Sequence, residues 1–252
     1  MLLTLDIGNT NIKLALFDDD NLVEFRIYPD IDKLFKYIKT NALNEIAICS
    51  VNPTITKTLV EEISKSGISI FQANIQNRFN LQIKYSTPET LGIDRVCSVV
   101  GAFEIAVKEN LILKNHYLLT IDFGTATTIN VVSPEGYFLG GLIAPGVKTM
   151  LKSLNEETAQ LPIPELRTYK GIIGDTTDSS IVSGVINATI GMIDKTVQQL
   201  KVNGDLLQPI LFATGGNAQF ILPHIKYKIL YEEALVLKGL KVIYDLNKKI
   251  KR

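Results

Sequence analysis

The chain has 252 residues, 46% of them hydrophobic, and 26 Lys plus Arg balance 26 Asp plus Glu. That length suits one large domain or two modest ones, and it buries enough apolar surface to fold without staples. Zero formal charge argues against a nucleic-acid partner held by a broad basic field, and two cysteines and two histidines with no CxxC or HxxxH spacing argue against structural zinc. A divalent metal would have to be a hard one held by oxygen. No apolar run approaches the roughly 18 residues of a bilayer span, and the start, Met1 to Asp6, has no basic n-region. A cytoplasmic protein with no membrane partner is the expectation.

In chain order, residues 2–8 and 12–17 read as a β-hairpin with a polar turn. Ile31, Leu34, Phe35 and Ile38 then keep helical spacing behind Asp30, a suitable N-cap. A short strand over 45–50 is closed by Pro53. A helix carrying Ile55, Leu59, Val60 and Ile63 ends at Gly67, and residues 68–71 form another strand. This alternation implies parallel βαβ units. A helix over 93–107 carries the stripe Ile93, Val96, Val100, Phe103 and Val107.

The second half opens with another hairpin, 118–124 and 128–132, and continues with a strand at 140–146 flanked by glycine turns. A long helix follows, marked by Ile181, Val182, Val185, Ile186, Ile193, Val197 and Leu200. The strand 210–214 ends in Gly215-Gly216-Asn217, and a terminal helix carries Leu235, Leu240, Ile243, Leu246 and Ile250. A polar stretch near Asn115 divides the chain into units 1–114 and 115–252. Cys97 reads as a small core residue, His116 and His224 as surface or packing residues, and 248–252 as a solvated basic helix end.

The informative feature is a repeat. Leu2-Leu3-Thr4-Leu5-Asp6-Ile7-Gly8 returns as Leu118-Leu119-Thr120-Ile121-Asp122-Phe123-Gly124, and each copy runs through small polar residues into a second strand. Agreement in strand identity and in turn chemistry favours duplication over chance. In the first turn, Gly8 permits close backbone approach, successive amides can face an anion, and Asn9, Thr10 and Asn11 add neutral donors. Asp6 could hold a magnesium-bound water. Alone, this turn reads equally as a plain hairpin turn, for which Asp, Gly and Asn are common choices. Paired with Asp122-Phe123-Gly124-Thr125-Ala126-Thr127, it reads as half of a phosphate grip. Thr214-Gly215-Gly216 could lie flat against a base or ribose, or serve as a simple β-to-α turn. Asp94 and Arg95 open a helix, where orphan amides favour anions. Without further context they are a good helix-start residue and a solvated charge.

These motifs, in this order, resemble the type III pantothenate kinases of the actin-like ATPase and sugar kinase superfamily. The resemblance rests on Asp6 to Thr10, Gly92-Ile93-Asp94-Arg95, Asp122 to Thr127, Gly140 to Gly146, Thr214 to Gly216 and Leu235 to Leu240, and it spans nearly the whole chain. It implies an α/β fold of two duplicated actin-like (ribonuclease H-like) lobes with mixed sheets and a nucleotide cleft between the lobes. It implies ATP-dependent phosphorylation of pantothenate, with Mg2+ and a monovalent cation (K+ or NH4+). Asp6, Ile7, Gly8, Asn9, Thr10, Asn11, Ile12, Lys13 and Thr125 would line ATP, although Lys13 could instead stand outside on the return strand. Asp122 would ligate the monovalent cation. Asp94 would be the general base, held ionised by the helix dipole, and Arg95 would bind the acceptor or steady the moving phosphoryl group. Tyr85, Gly92, Ile93 and Thr177 would contact pantothenate, with Thr177 supplied by the partner of a homodimer. The stretch Asp175-Thr176-Thr177-Asp178 fits a plain helix N-cap almost as well. A non-catalytic regulatory relative and a kinase for another small hydroxylated acceptor are the rival readings. The Asp94–Arg95 pair weighs against the first, and the 85–95 segment against the second.

Overall fold

The structure is a computed structural model that describes residues 1–41, 43–111, 115–201 and 208–248. Its strands are β1 (Leu2–Ile7), β2 (Ile12–Asp18), β3 (Asn21–Tyr28), β4 (Glu45–Ser50), β5 (Ser69–Gln72), β6 (Gln82–Ile83), β7 (Leu118–Phe123), β8 (Ala126–Val132), β9 (Tyr137–Pro145), β10 (Ile210–Thr214) and β11 (Ile229–Tyr231). Its helices are α1 (Ile31–Thr40), α2 (Pro53–Ser64), α3 (Ile93–Lys108), α4 (Val147–Glu156), α5 (Thr177–Lys201), α6 (Ala218–Ile221) and α7 (Leu235–Lys248). The expected helix position Ile250 and the basic tail after Lys248 lie outside the described residues. Among the described residues no helix is long and apolar enough to cross a membrane.

The chain forms two compact units. The first comprises Met1–Leu111, Gly136–Phe138 and Ala234–Arg252, and the second Ile112–Glu135 and Leu139–Glu233. The expected boundary at 114/115 is close to the first crossing. The expectation that everything after it belongs to the second unit does not hold, because α7 packs along α3 and its Leu237 joins Ala15 and Phe17 in a buried cluster.

In the first unit the sheet order is β3-β2-β1-β4-β5. β1 and β2 are antiparallel from Leu2↔Phe17 to Ile7↔Ile12, and β1–β4 and β4–β5 are parallel. Alternation along β1 sends Leu3, Leu5 and Ile7 into a core with Leu34 and Ile38 of α1 and Leu59 and Ile63 of α2. Thr4 and Asp6 therefore face the opposite side. Asp30 caps α1 by accepting from Lys33 N at 3.0 Å. Asn52 caps α2 by accepting from Ile55 N at 3.1 Å, so Pro53 opens that helix at its first turn and does not close β4. The strand β3 escaped the sequence reading. It is an edge strand with most residues exposed, including Val23 at 59%, so it lacks the alternating signal of a half-buried strand.

The helix α3 is buried along Arg95–Ala102, on more than one stripe, while Val107 at its far end is 51% exposed. The helices α3 and α7 approach closely enough that a Cβ on Gly101 would lie 2.5 Å from Leu235 O, and one on Gly239 would overlap Cys97 O.

In the second unit the order is β11-β10-β7-β8-β9. The β7–β8 hairpin runs antiparallel from Leu118↔Val132 to Phe123↔Thr127, and β10 lies parallel to β7 with Thr214 opposite Asp122. In the first unit Cys49 of β4 stands opposite Asp6 in the same way. Both turns are closed by a glycine amide: Gly8 N donates to Asn11 O and Gly124 N to Ala126 O, each at 3.1 Å. The repeat read from the sequence is therefore a repeat of register as well. The glycines at 140–141 lie inside β9, which begins at Tyr137, and do not flank it. The short helix α4 was not expected. It buries only Val147 and Leu151, too few for a helical stripe to stand out.

Candidate active site

On β1 and β2, Asp6 and Lys13 are register partners. The start of α3 joins them. Asp94 lies in its first turn, where Oδ1 accepts from Arg95 N at 2.9 Å. Burial pushes the Asp94 carboxyl above the ordinary carboxylate range, opposed by the Arg95 amide, the Arg95 charge and the Lys13 charge. Desolvation thus opposes the helix dipole that was expected to hold Asp94 ionised. Lys13, left open between phosphate ligand and solvated strand residue, stands within electrostatic reach of Asp94.

Cys49 and Cys97 are both fully buried and free. A hydrogen bond with Cys97, burial, and the Asp6 and Asp94 carboxylates raise the Cys49 thiol well above its ordinary value. The thiol pair thus links β4, where Cys49 is the register partner of Asp6, to the helix that carries Asp94. Arg95 is not a solvated charge. It is 7% exposed, with its guanidinium 5.9 Å from the Tyr85 ring and 5.8 Å from the Phe138 ring. Gly92 caps α3, after a 3-10 turn at Pro88–Thr90. Asn9, Thr10 and Asn11 are exposed at the first turn.

The second unit presents Asp122 at the end of β7 and an exposed Thr125, whose carbonyl accepts from Gly146 N at 2.9 Å and Thr149 Oγ1 at 2.7 Å. The Gly215 turn locks onto this hairpin. Asn217 N donates to Phe123 O and Asn217 Nδ2 to Gly124 O, both at 3.1 Å. Gly215 has φ +96, and a Cβ there would lie 2.6 Å from Phe123 N and overlap Asp122 Oδ1. Its bare backbone therefore serves contact within the unit, while Gly216 faces open space.

Sequence reasoning did not find a cavity in the second unit. It measures about 570 Å³ and is lined by Lys148, Leu151 and Lys152 of α4, by residues 163–167, and by Phe220 of α6. Of its walls, α4 follows Gly146 and α6 follows Asn217. The available signal was Lys148 and Lys152 four residues apart beside Leu151, which puts them on one helical face.

The ambiguity at 175–178 resolves into a cap and a free neighbour. Thr176 Oγ1 accepts from Ser179 N at 3.2 Å, and Ser179 Oγ accepts from Thr176 N at 3.0 Å, a reciprocal box. Thr177 is the exposed first residue of α5. Thr176→Ala should therefore cost about 1 kcal/mol in unfolding experiments, whereas Thr177→Ala should leave stability unchanged. His116 bonds Gln208 O at 2.7 Å and the His224 ring packs at 4.4 Å on Tyr169, in keeping with packing roles. Among the described residues no three His, Cys, Asp or Glu side chains cluster as a metal site.

A sequence model of type III pantothenate kinase matches residues 2–199. The type III pantothenate kinase of Finegoldia magna is 32% identical over 265 residues, covering 98% of each chain. That of Geotalea uraniireducens is 32% identical over 266 residues, covering 99% of this chain and all of its own. Among solved structures, a Campylobacter jejuni protein of the Baf family of transcriptional activators superposes with TM-score 0.61 at 21% identity, covering 98% of this chain and 99% of its own. MreB5 of Spiroplasma citri bound to AMPPNP gives 0.52 at 12%, covering 99% and 98%. These two establish the actin-like fold alone. The sequence matches reach further, taking in both hairpins and the Asp94 helix at full-length coverage, and they make this chain a member of the type III pantothenate kinase family.

Proposed function

We propose that the chain transfers the γ-phosphoryl group of ATP to the primary hydroxyl of pantothenate, giving 4′-phosphopantothenate, the first step of coenzyme A biosynthesis. The observation that carries this reading is Asp94, recessed at a helix start, within electrostatic reach of Lys13 and beside an Arg95 whose guanidinium packs against the Tyr85 and Phe138 rings. A buried carboxylate accepts a proton more readily than an exposed one. The pantothenate hydroxyl gives its proton to Asp94 as its oxygen bonds the γ-phosphorus and the bond to ADP breaks. Most of the acceleration comes from positioning and charge, which lets a carboxylate suffice as base.

The amides of residues 8–11, with Asn9, Thr10 and Asn11, take phosphate oxygens, and Thr125 does so from the second hairpin. The cavity lined by Leu151 and Phe220, with Lys148 and Lys152 on its wall, would suit the base. The donors fit hard cations: Asp122 Oδ1 lies in the space kept clear by Gly215, and Asp6 offers a second carboxylate. Asp122 would hold a monovalent cation and Asp6 a magnesium-bound water. Magnesium supplies charge neutralisation on the phosphates.

Ile172 and Ile173, 79% and 82% exposed just before Thr177, suit burial in a homodimer that shares the acceptor site. The reaction belongs in the cytoplasm, where ATP and pantothenate meet.

ADP release with pantothenate, set against a panel of sugars in potassium buffer, tests the assignment. Signal with pantothenate alone is expected, and equal or absent signal across the panel would reject it in favour of a broader kinase or a regulatory relative. Replacing potassium with sodium should depress turnover several-fold. Indifference to the ion would remove the role given to Asp122.

A further inference from the structure

Phe138 has no part in the mechanism above, yet the Tyr85 ring and the Arg95 guanidinium both lie against it. It is fully buried at the start of β9, within the short segment Gly136–Phe138 that belongs to the first unit. Its register partner is Ile83 of β6, and its carbonyl accepts from Lys84 N at 2.9 Å. That parallel pairing brings Tyr85 onto its ring, with centroids 6.0 Å apart and planes inclined at 51°. The Arg95 guanidinium stands 5.8 Å from the Phe138 centroid and 5.9 Å from that of Tyr85. A long cation that is 7% exposed has given up most of its hydration and most of its rotamer freedom. Two ring faces offer it negative quadrupole density and a preferred plane.

We propose that Phe138 is a positioning residue for the acceptor: its ring, together with Tyr85, fixes the plane of the Arg95 guanidinium and thereby sets affinity for pantothenate. This rests on the reading of residues 85–95 as the acceptor site. The coupling runs among Tyr85, Arg95 and Phe138, none of them given to ATP, so ATP affinity is not part of it. Phe138→Leu and Phe138→Met keep an apolar filling and remove the ring, while Phe138→Tyr keeps the ring.

Steady-state kinetics on the full-length enzyme should show the KM for pantothenate raised about tenfold in the Leu and Met variants. The KM for ATP should stay within about twofold, and the Tyr variant should stay close to the parent. A further arm combines the change with Arg95→Lys, where KM for pantothenate should rise no further than in Arg95→Lys alone, because both remove the same interaction. Equal increases in both KM values, additive losses in the double variant, or a Leu variant as competent as the parent would overturn the proposal. Should the unmodified enzyme fail to turn over pantothenate at all, the acceptor reading itself falls, which is a separate outcome. The Met variant, which fills irregular space, carries the test if the Leu variant does not fold.

Discussion

Asp94→Asn should lower turnover on the order of 10²–10⁴-fold, the range for loss of a positioned general base, while ATP binding, measured by calorimetry without pantothenate, stays nearly unchanged. The amide keeps an oxygen that can accept from Arg95 N, so the helix start should survive. The same variant should also be more stable than the parent at neutral pH. Burial raises the Asp94 carboxyl in the folded state, so ionising it costs the fold free energy once the pH exceeds that raised value. Asparagine carries no such cost. The stability gain should be largest at neutral pH, shrink as pH falls through the folded pKa, and vanish below the ordinary aspartate range, where both states are protonated. Thermal unfolding of both proteins across pH 3 to 8 measures this directly. An active Asp94→Asn enzyme, or one less stable at pH 7 with a gap independent of pH, would remove Asp94 as a strained base. Activity in the parent should correspondingly fail on the acid side at a pH above that of an exposed aspartate.

Gly239→Ala is expected to cause a large loss of stability. Its Cβ would overlap the carbonyl of Cys97, which is backbone and cannot swing aside, so α7 must move off α3. Overpacking of this kind costs about 3 kcal/mol or more, a fall of about 6–12 °C in Tm for a chain of this size. Gly184→Ala is the control. It lies exposed on α5 with nothing near its built Cβ, and should gain roughly 0.5–1 kcal/mol from helix propensity. Differential scanning of the two variants decides the matter: a Gly239→Ala protein that melts with the parent would mean that α3 and α7 are not in backbone contact. Because Cys97 lies one turn after Asp94, a displaced α7 should also lower turnover.

The duplicated hairpins, the capped helix at Ile31–Thr40, the strand Glu45–Ser50 and the long helix Thr177–Lys201 were legible from local signals alone. Each is written in side-chain period, caps and turn residues that act over a few positions. Type III pantothenate kinase motifs likewise named Asp94, Arg95, Asp122 and Tyr85. Pairing and packing decided the rest. The edge strand Asn21–Tyr28 is a strand because it pairs with Ile12–Asp18. The terminal helix belongs to the first unit because two glycines let backbones touch. Thr176 and not Thr177 is the cap because Ser179 answers it. The chemistry of the site was hidden for the same reason. The raised Asp94 carboxyl comes from desolvation, and the held Arg95 from a ring far along the chain at Phe138. A linear sequence states which charges exist. How much water each one loses, and which face of which ring it meets, depends on contacts between distant residues that exist only once the chain has folded.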